Sequence, residues 1–219
     1  MSKVPPQIPG WDEKHRAGDQ EALRGHPSPL CMLAVDYLPE HANIIELGCG
    51  VGRDAEHFSS LGHTVLATDG SSVVIKQNLA KYPESRVDYA VLDLNAEEWV
   101  LQEGNFDAAF ANLSLHYFLD SDTRRIFRKI GGLLKIGGLL VFACKSSDAY
   151  RTDGATLIEQ DVYVAANGHA LHTFTTDYVR DLVKGTYRIE HLDEVQEEYQ
   201  GRVSGTVYCV ARKVSDIPN

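Results

Sequence analysis

The sequence predicts an α/β protein built on a doubly wound, mostly parallel sheet, and three observations carry that expectation. From residue 43 to residue 145, apolar strand-like runs alternate with segments of helical periodicity, the order that lays helices on both faces of a parallel sheet. The stretch "IIELGCGVGRDAEHF", residues 44–58, takes one such strand through alternate glycines straight into a helix. The chain then closes on two strand-like runs, "YRIEHLDEVQEEY" and "GTVYCVARK", joined so tightly that the last strand has to be antiparallel.

Residues 1–40 read as a lead-in followed by capping helices, and residues 41–213 as the domain holding the sheet. Pro5, Pro6 and Pro9 keep the first residues from any regular element. "WDEKHRAGD" predicts a short helix ending near Gly18. "PSPLCMLAVDYLP" predicts a second, with Ser28 as cap, Pro29 in the first turn, Pro39 as stop and Leu30, Leu33, Ala34 and Tyr37 at helical spacing.

In the domain, "NIIEL" (43–47), "TVLATD" (64–69), "VDYAVLD" (87–93) and "FDAAFAN" (106–112) are expected strands. Between them, "GRDAEHFSSLG" predicts a helix stopped by Gly62, and "SSVVIKQNLAKY" one capped by Ser71 or Ser72. A short helix is expected around residues 96–102, and a longer one over "DTRRIFRKIGGLL". The hexapeptide "KIGGLL" occurs twice in tandem, at 129–134 and 135–140. The first copy is expected to end that helix and the second to turn into the strand "LLVFACK", so context must override propensity in one of them. Within residues 146–174, "DVYVAANGHALHTF" alternates about Asn167-Gly168 and predicts an inserted hairpin. "TTDYVRDLVKG" then predicts a capped helix closed by Gly185.

Composition narrows the function. The 219 residues suffice for one domain with a sizeable core, and 43% hydrophobic with 24% charged residues is the balance of a soluble globule. A net charge of −10 disfavours a phosphate-rich partner, so no nucleic acid is expected. No segment has the length and apolarity of a bilayer span or a signal peptide. Cys31, Cys49, Cys144 and Cys209 form no CxxC pair, which suits reduced thiols and a cytoplasmic location. The expectation is a monomer or homodimer with a small-molecule partner.

A glycine-rich turn from strand to helix, followed some twenty residues later by an acid, suits nucleoside binding in general. Here the acid is Asp69, at the end of the second strand, where a carboxylate can accept from ribose hydroxyls. Three details separate the cofactor classes. Gly48, Gly50 and Gly52 give GxGxG, whereas a dinucleotide pattern would need glycine in place of Arg53. Glu46 stands just before the glycines, where an acid would repel a diphosphate but favour an ammonium or sulfonium. Asp93 ends the third strand, placed to accept from an exocyclic amine while Leu94 packs a ring; its other reading is a helix cap.

"IIELGCGVG", "ATDGS", "VLDL", "FDAAFANLSLHYF" and "LLKIGGLLVF", in this order, resemble the class I S-adenosylmethionine-dependent methyltransferases. That resemblance implies a Rossmann-like, seven-stranded sheet with the last strand antiparallel, and S-adenosyl-L-methionine as cofactor. It implies that the loop of Gly48, Cys49, Gly50 and Gly52 faces the cofactor, Cys49 as a spacer rather than a nucleophile. Glu46 would serve the methionine end, Asp69 with Gly70 and Ser71 the ribose, and Asp93 with Leu94 the adenine. Asn112, Leu113 and Ser114 would lie beside the cofactor's amino group. Ile136 stands where many members have proline. More loosely, "WDEKHRAGD…HPSPL" and "HTFTTDYVRDLV" are similar to small-molecule methyltransferases of the thiopurine, thiol and tellurite-resistance type, although "QEALRG" departs from them.

His116 and Tyr117 follow the fourth strand, at the sheet edge where open α/β proteins place their chemistry, and are the candidate catalytic pair. His116 is read either as a general base or as a ring packed over the cofactor. Trp11 and His15 share one face of the first helix and would either close over the cofactor or pack in the core. Some of Lys145, Tyr150, Arg151, His169 and His172 are expected to line an acceptor pocket. No metal is expected, since His169 and His172 lack a third ligand at matching spacing. The absence of a convincing base favours a soft or already ionised acceptor, a thiol or a chalcogen oxyanion. The rival readings are a nicotinamide oxidoreductase, a non-catalytic cofactor-binding scaffold, another chemistry of the same cofactor, and methylation of a protein or RNA with a partner.

Overall fold

A computed structural model describes residues 8–18, 20–146, 155–165, 168–199 and 202–216. Helix α1 (Ile8–Ala17) leads through a single 3-10 turn at Glu21–Leu23 to α2 (Pro29–Val35), where the Ser28 hydroxyl accepts from the Cys31 N–H as the expected cap. The alternation follows: β1 (Asn43–Leu47), α3 (Arg53–Ser60), β2 (Thr64–Asp69), α4 (Ser72–Lys81), β3 (Asp88–Val91), β4 (Phe106–Asn112), α5 (Asp120–Leu133) and β5 (Leu134–Lys145). Next come β6 (Thr156–Glu159), β7 (Val162–Val164), β8 (Ala170–His172), α6 (Thr176–Val183), β9 (Tyr187–Tyr199) and β10 (Arg202–Lys213).

The main sheet has seven strands in the order β3-β2-β1-β4-β5-β10-β9. Strands β1 to β5 pair in parallel, and β10 runs antiparallel to both β5 and β9. This is the predicted Rossmann-like sheet, with the last strand reversed. Strand periodicity sorts the core onto two faces. Ile45, Leu47, Ala109, Ala111 and Phe142 face one way and pack with Ile126, Ile130 and Val179 of α5 and α6. Ile44, Ala108, Phe110, Val141 and Ala143 face the other way, against Leu30, Ala55 and Phe58 of α2 and α3. Strand order reverses between β1 and β4, and the crevice beyond the carboxyl ends of such a pair is where open α/β sheets bind ligands.

Three expectations need correction. Residues 96–102 form no helix. In a helix the Ala96 carbonyl would accept from a backbone N–H four residues on, but here Arg125 Nη1 (3.1 Å) and Lys129 Nζ from α5 both donate to it. Strand β3 stops at Val91, so Asp93 lies beyond it. The insertion holds a three-stranded antiparallel sheet, β6-β7-β8, rather than a hairpin. Strand β6 turns into β7 through Asp161, a residue at φ 59°, which aspartate tolerates better than most side chains. Asn167, at the expected turn, lies outside the described residues. The tandem hexapeptide does split between structures: the first copy is helical to Leu133, and the second lies inside β5.

Candidate functional site

The carboxyl ends of β1, β2, β4 and β5 open into one cavity of about 730 Å³, roofed by α1. Glu46, Gly48, Cys49, Gly50, Asp69, Gly70, Ser71, Asp93, Leu94, Asn112, Leu113, His116, Tyr117 and Trp11 all line it, as do His15, Ser114 and Lys145. Gly52 does not. It sits at φ 77° as the residue entering α3, and a Cβ there would come within 2.4 Å of the Tyr89 hydroxyl. His169 and His172 also lie off the lining, and Tyr150 and Arg151 lie outside the described residues.

The glycine loop is held by the protein itself. The N–H groups of Gly48 and Cys49 both donate to the Thr68 carbonyl at 2.8 Å. At Gly48 (φ 78°) a Cβ would lie 2.4 Å from the Ser114 Cβ, and the Ser114 hydroxyl donates to the Leu47 carbonyl at 2.6 Å. The glycine there lets the loop after β4 come close. Two residues that the sequence reading missed hold the far side. Asn78 Nδ2 donates to the Gly50 carbonyl at 2.8 Å, and Arg24 Nη1 to the Val51 carbonyl at 2.6 Å and to Asn78 Oδ1 at 2.8 Å. Asn78 had a signal: a polar side chain in the apolar stripe that α4 turns inward with Val74 and Ile75.

Asp69 is gripped by backbone. Gly50 N–H donates to its Oδ2 (2.9 Å) and Ser71 N–H to its Oδ1 (2.8 Å). Burial raises its pKa, and these two N–H groups oppose the rise. An ionised carboxylate has about four lone-pair positions, so each oxygen keeps one for a further donor. Glu46 is 2% exposed, and its Oε2 has no hydrogen-bond partner. Burial pushes its carboxyl well above the usual range, and the nearby Asp54 and Asp69 add to the shift. Asp54 itself is buried and satisfied, accepting from the Ser28 N–H (2.6 Å) and hydroxyl (2.8 Å).

Asp93, whose alternative reading is a helix cap, closes a local turn instead, in which its Oδ1 accepts from the Asn95 N–H at 2.8 Å. Leu94 is buried below it. Leu113 leaves β4 at φ 56°, a strained conformation for a leucine and one that clusters at ligand sites.

The roof is aromatic. The Trp11 ring stands edge-on to Tyr117 at 4.9 Å and lies 5.4 Å from His169 and 6.3 Å from His15. The Ser71 hydroxyl donates to Asp12 at 2.5 Å and Gln77 to the His15 carbonyl at 3.0 Å, which ties α1 to α4. Beneath Tyr117, His116 is 1% exposed, with neither ring nitrogen hydrogen-bonded. Burial, reinforced by Lys145 and His172, holds its pKa down to about 3, so the ring is neutral. Among the described residues no group of three or more His, Cys, Asp or Glu is arranged to hold a metal, and no helix is long and apolar enough to cross a membrane.

Comparison with known proteins bears on the fold and the family. Residues 45–142 match the family model described as a methyltransferase domain. A phosphoethanolamine N-methyltransferase of Triticum aestivum is 26% identical over 140 residues, covering 60% of this chain and 28% of that one. A carboxy-S-adenosyl-L-methionine synthase of Vibrio atlanticus is 24% identical over 148 residues, covering 65% and 61%. The chain thus spans less than two thirds of either relative. Among solved structures, a Burkholderia thailandensis 1,6-didemethyltoxoflavin-N1-methyltransferase, bound to 1,6-didemethyltoxoflavin and S-adenosylhomocysteine, superposes with a TM-score of 0.72 at 19% identity, over 95% of this chain and 87% of that one.

Proposed function

We propose that this chain, a class I methyltransferase by its fold and by the methyltransferase domain at residues 45–142, binds S-adenosyl-L-methionine and transfers its methyl group to a small-molecule acceptor. The observation that carries the reading is Glu46: a buried carboxyl at the cavity wall with one oxygen unpartnered, where burial and the charges of Asp54 and Asp69 outweigh the relief given by Arg53 and the Ala55 N–H. Such a group is costly unless a cation arrives to meet it. A cofactor with an ammonium and a sulfonium fits that need, and a diphosphate does not. Asp69 would hold the ribose hydroxyls through its two remaining lone-pair positions, and Asp93 with Leu94 would take the adenine.

When bound, the cofactor supplies an activated methyl group on a sulfonium that leaves readily. The chain is left with positioning, since an in-line displacement needs the nucleophile held roughly 3 Å from the methyl carbon. Trp11 and Tyr117 exclude water from above. A buried neutral imidazole at His116 is a weak proton acceptor. This supports an acceptor that arrives ionised, such as a thiolate or a chalcogen oxyanion.

Parallel calorimetric titration with S-adenosyl-L-methionine, S-adenosylhomocysteine and NAD(H) tests the reading. Micromolar binding of the first two and none of the third is expected. Binding of NAD(H) alone would overturn it, and cofactor affinity without turnover across an acceptor screen would point to a scaffold.

A further inference from the structure

Taking S-adenosyl-L-methionine as the donor, as proposed above, we infer that the acceptor is an anion whose charge is held by Lys145 at the β5 end of the cavity, with His116 as a second donor.

The cavity is electrically lopsided. Glu46 and Asp69 at the ends of β1 and β2, Asp54 on α3 and Asp93 beyond β3 make one side acidic, the side that suits a cation. Asp122 of α5, also on the lining, is paired with Arg125 at 2.8 Å. Of the cationic side chains along the lining, Arg53 Nε lies 3.9 Å from Asp54, and Lys14 Nζ sits 4.3 Å above the Trp11 ring. Lys145 differs. Its Nζ donates to two neutral hydroxyls on β10, Ser204 Oγ at 2.8 Å and Thr206 Oγ1 at 3.1 Å. Glu197 acts on it only from a distance and accepts from the Tyr208 hydroxyl at 2.5 Å. No described carboxylate forms an ion pair with Lys145. An ammonium has three protons, so one is left for a further acceptor.

A strand-end lysine satisfied by hydroxyls would need no ligand. His116 argues against that bland account, because it lines the same cavity at 1% exposure with both ring nitrogens unpartnered. Its backbone carbonyl accepts from the His172 N–H at 2.8 Å, and its ring lies 4.2 Å from that of Tyr117, so it cannot simply swing to water. The charge of Lys145 is felt at the His116 ring and both line the cavity, so an imidazole N–H and an ammonium are available to the same anion. The placement also separates the two ligands: the cationic donor meets the acids, and the anionic acceptor meets the lysine. Each would repel the other's site.

Benzoate and its neutral isostere benzamide are suitable probes, titrated calorimetrically into the free protein and into its S-adenosylhomocysteine complex. Benzoate should bind about tenfold tighter than benzamide or better, the scale of one charge-assisted hydrogen bond. Lys145→Met should erase that preference while S-adenosylhomocysteine affinity stays unchanged, and Lys145→Arg should keep most of it. Equal affinity for the two probes, no benzoate binding at millimolar concentration, or a preference that survives Lys145→Met would each overturn the inference. The wild-type comparison decides the matter even if Lys145→Met fails to fold. Loss of S-adenosylhomocysteine binding with the benzoate preference intact would instead remove the donor assignment and leave the anion site standing.

Discussion

Gly50 N–H donates to Asp69 Oδ2 at 2.9 Å, so the loop after β1 is fastened to the end of β2 before any ligand is present. The Ser71 N–H holds the other carboxylate oxygen at 2.8 Å. Asp69 therefore shapes the glycine loop and, as a residue of the cavity lining, has acceptor capacity left for the ribose role proposed above.

Asp69→Ala should separate those duties by magnitude. Losing two charge-assisted hydrogen bonds to a ribose predicts weaker S-adenosylhomocysteine binding by about 3 kcal/mol or more, on the order of a hundredfold. Losing the two backbone partners should lower folding stability by about 1–3 kcal/mol. Calorimetry and urea unfolding read the two effects separately. Unchanged cofactor affinity would sink the ribose assignment.

Gly48→Ala should be destabilising for a reason unrelated to any ligand. It puts a Cβ 2.4 Å from the Ser114 Cβ at a backbone φ of 78°. Overpacking of this kind costs about 1–3 kcal/mol, and the left-handed backbone adds about 1 kcal/mol. The double variant with Ser114→Gly relieves the clash and not the backbone strain, so partial recovery of the urea midpoint is expected. Full recovery would show that the φ cost is negligible.

The core of the fold was legible because the hydrophobic pattern and the elements coincide. β1, β2 and β4 fall on the residues that alternation marks, and Ser28 and Ser71 cap where expected. What escaped was decided by contacts distant in sequence. The 96–102 segment has helical composition, but its first free carbonyl is taken by Arg125 and Lys129 of α5. The β6–β7 turn lacks the Asn-Gly signal and depends on Asp161 accepting a left-handed backbone. In the site, glycine spacing pointed to a close approach, and part of that approach comes from the protein itself, since Ser114 and Tyr89 occupy the space at Gly48 and Gly52. No local pattern shows which buried acid keeps an unpaired oxygen. Glu46 and Asp54 look alike in sequence, and only the fold brings Ser28 to one of them.

Glu46→Gln should stabilise the ligand-free protein at alkaline pH and leave it unchanged at acid pH. A carboxyl whose folded pKa lies above its unfolded value favours the folded state while protonated. That contribution is complete below the unfolded pKa of about 4.3 and is lost as pH rises toward the folded value. Urea midpoints near pH 4 should therefore agree between the two proteins. Near pH 8 the variant should be ahead by at least about 1 kcal/mol, the scale of an unsatisfied buried polar group. The same variant should lose affinity for S-adenosyl-L-methionine more than for S-adenosylhomocysteine, which lacks the sulfonium charge. A variant less stable at both pH values would show that both Glu46 oxygens are partnered in solution.

His116 gives the opposite sign. Its folded pKa is held near 3, below the imidazole value of about 6.5, so the folded protein excludes a proton that the unfolded chain accepts. Its contribution is intact above about pH 6.5 and falls by about 1.4 kcal/mol for each pH unit below that, down to the folded value. His116→Ala should cost stability at neutral pH through lost packing, and its midpoint should then fall less steeply than the wild type's between pH 6.5 and pH 5. Turnover follows the same logic. A ring neutral throughout the physiological range cannot produce an inflection between pH 6 and pH 8, so the pH profiles of wild type and His116→Ala should have the same shape there. An inflection near pH 7 that vanishes in the variant would mean that bound ligands raise the imidazole pKa by several units, and would restore His116 as the general base.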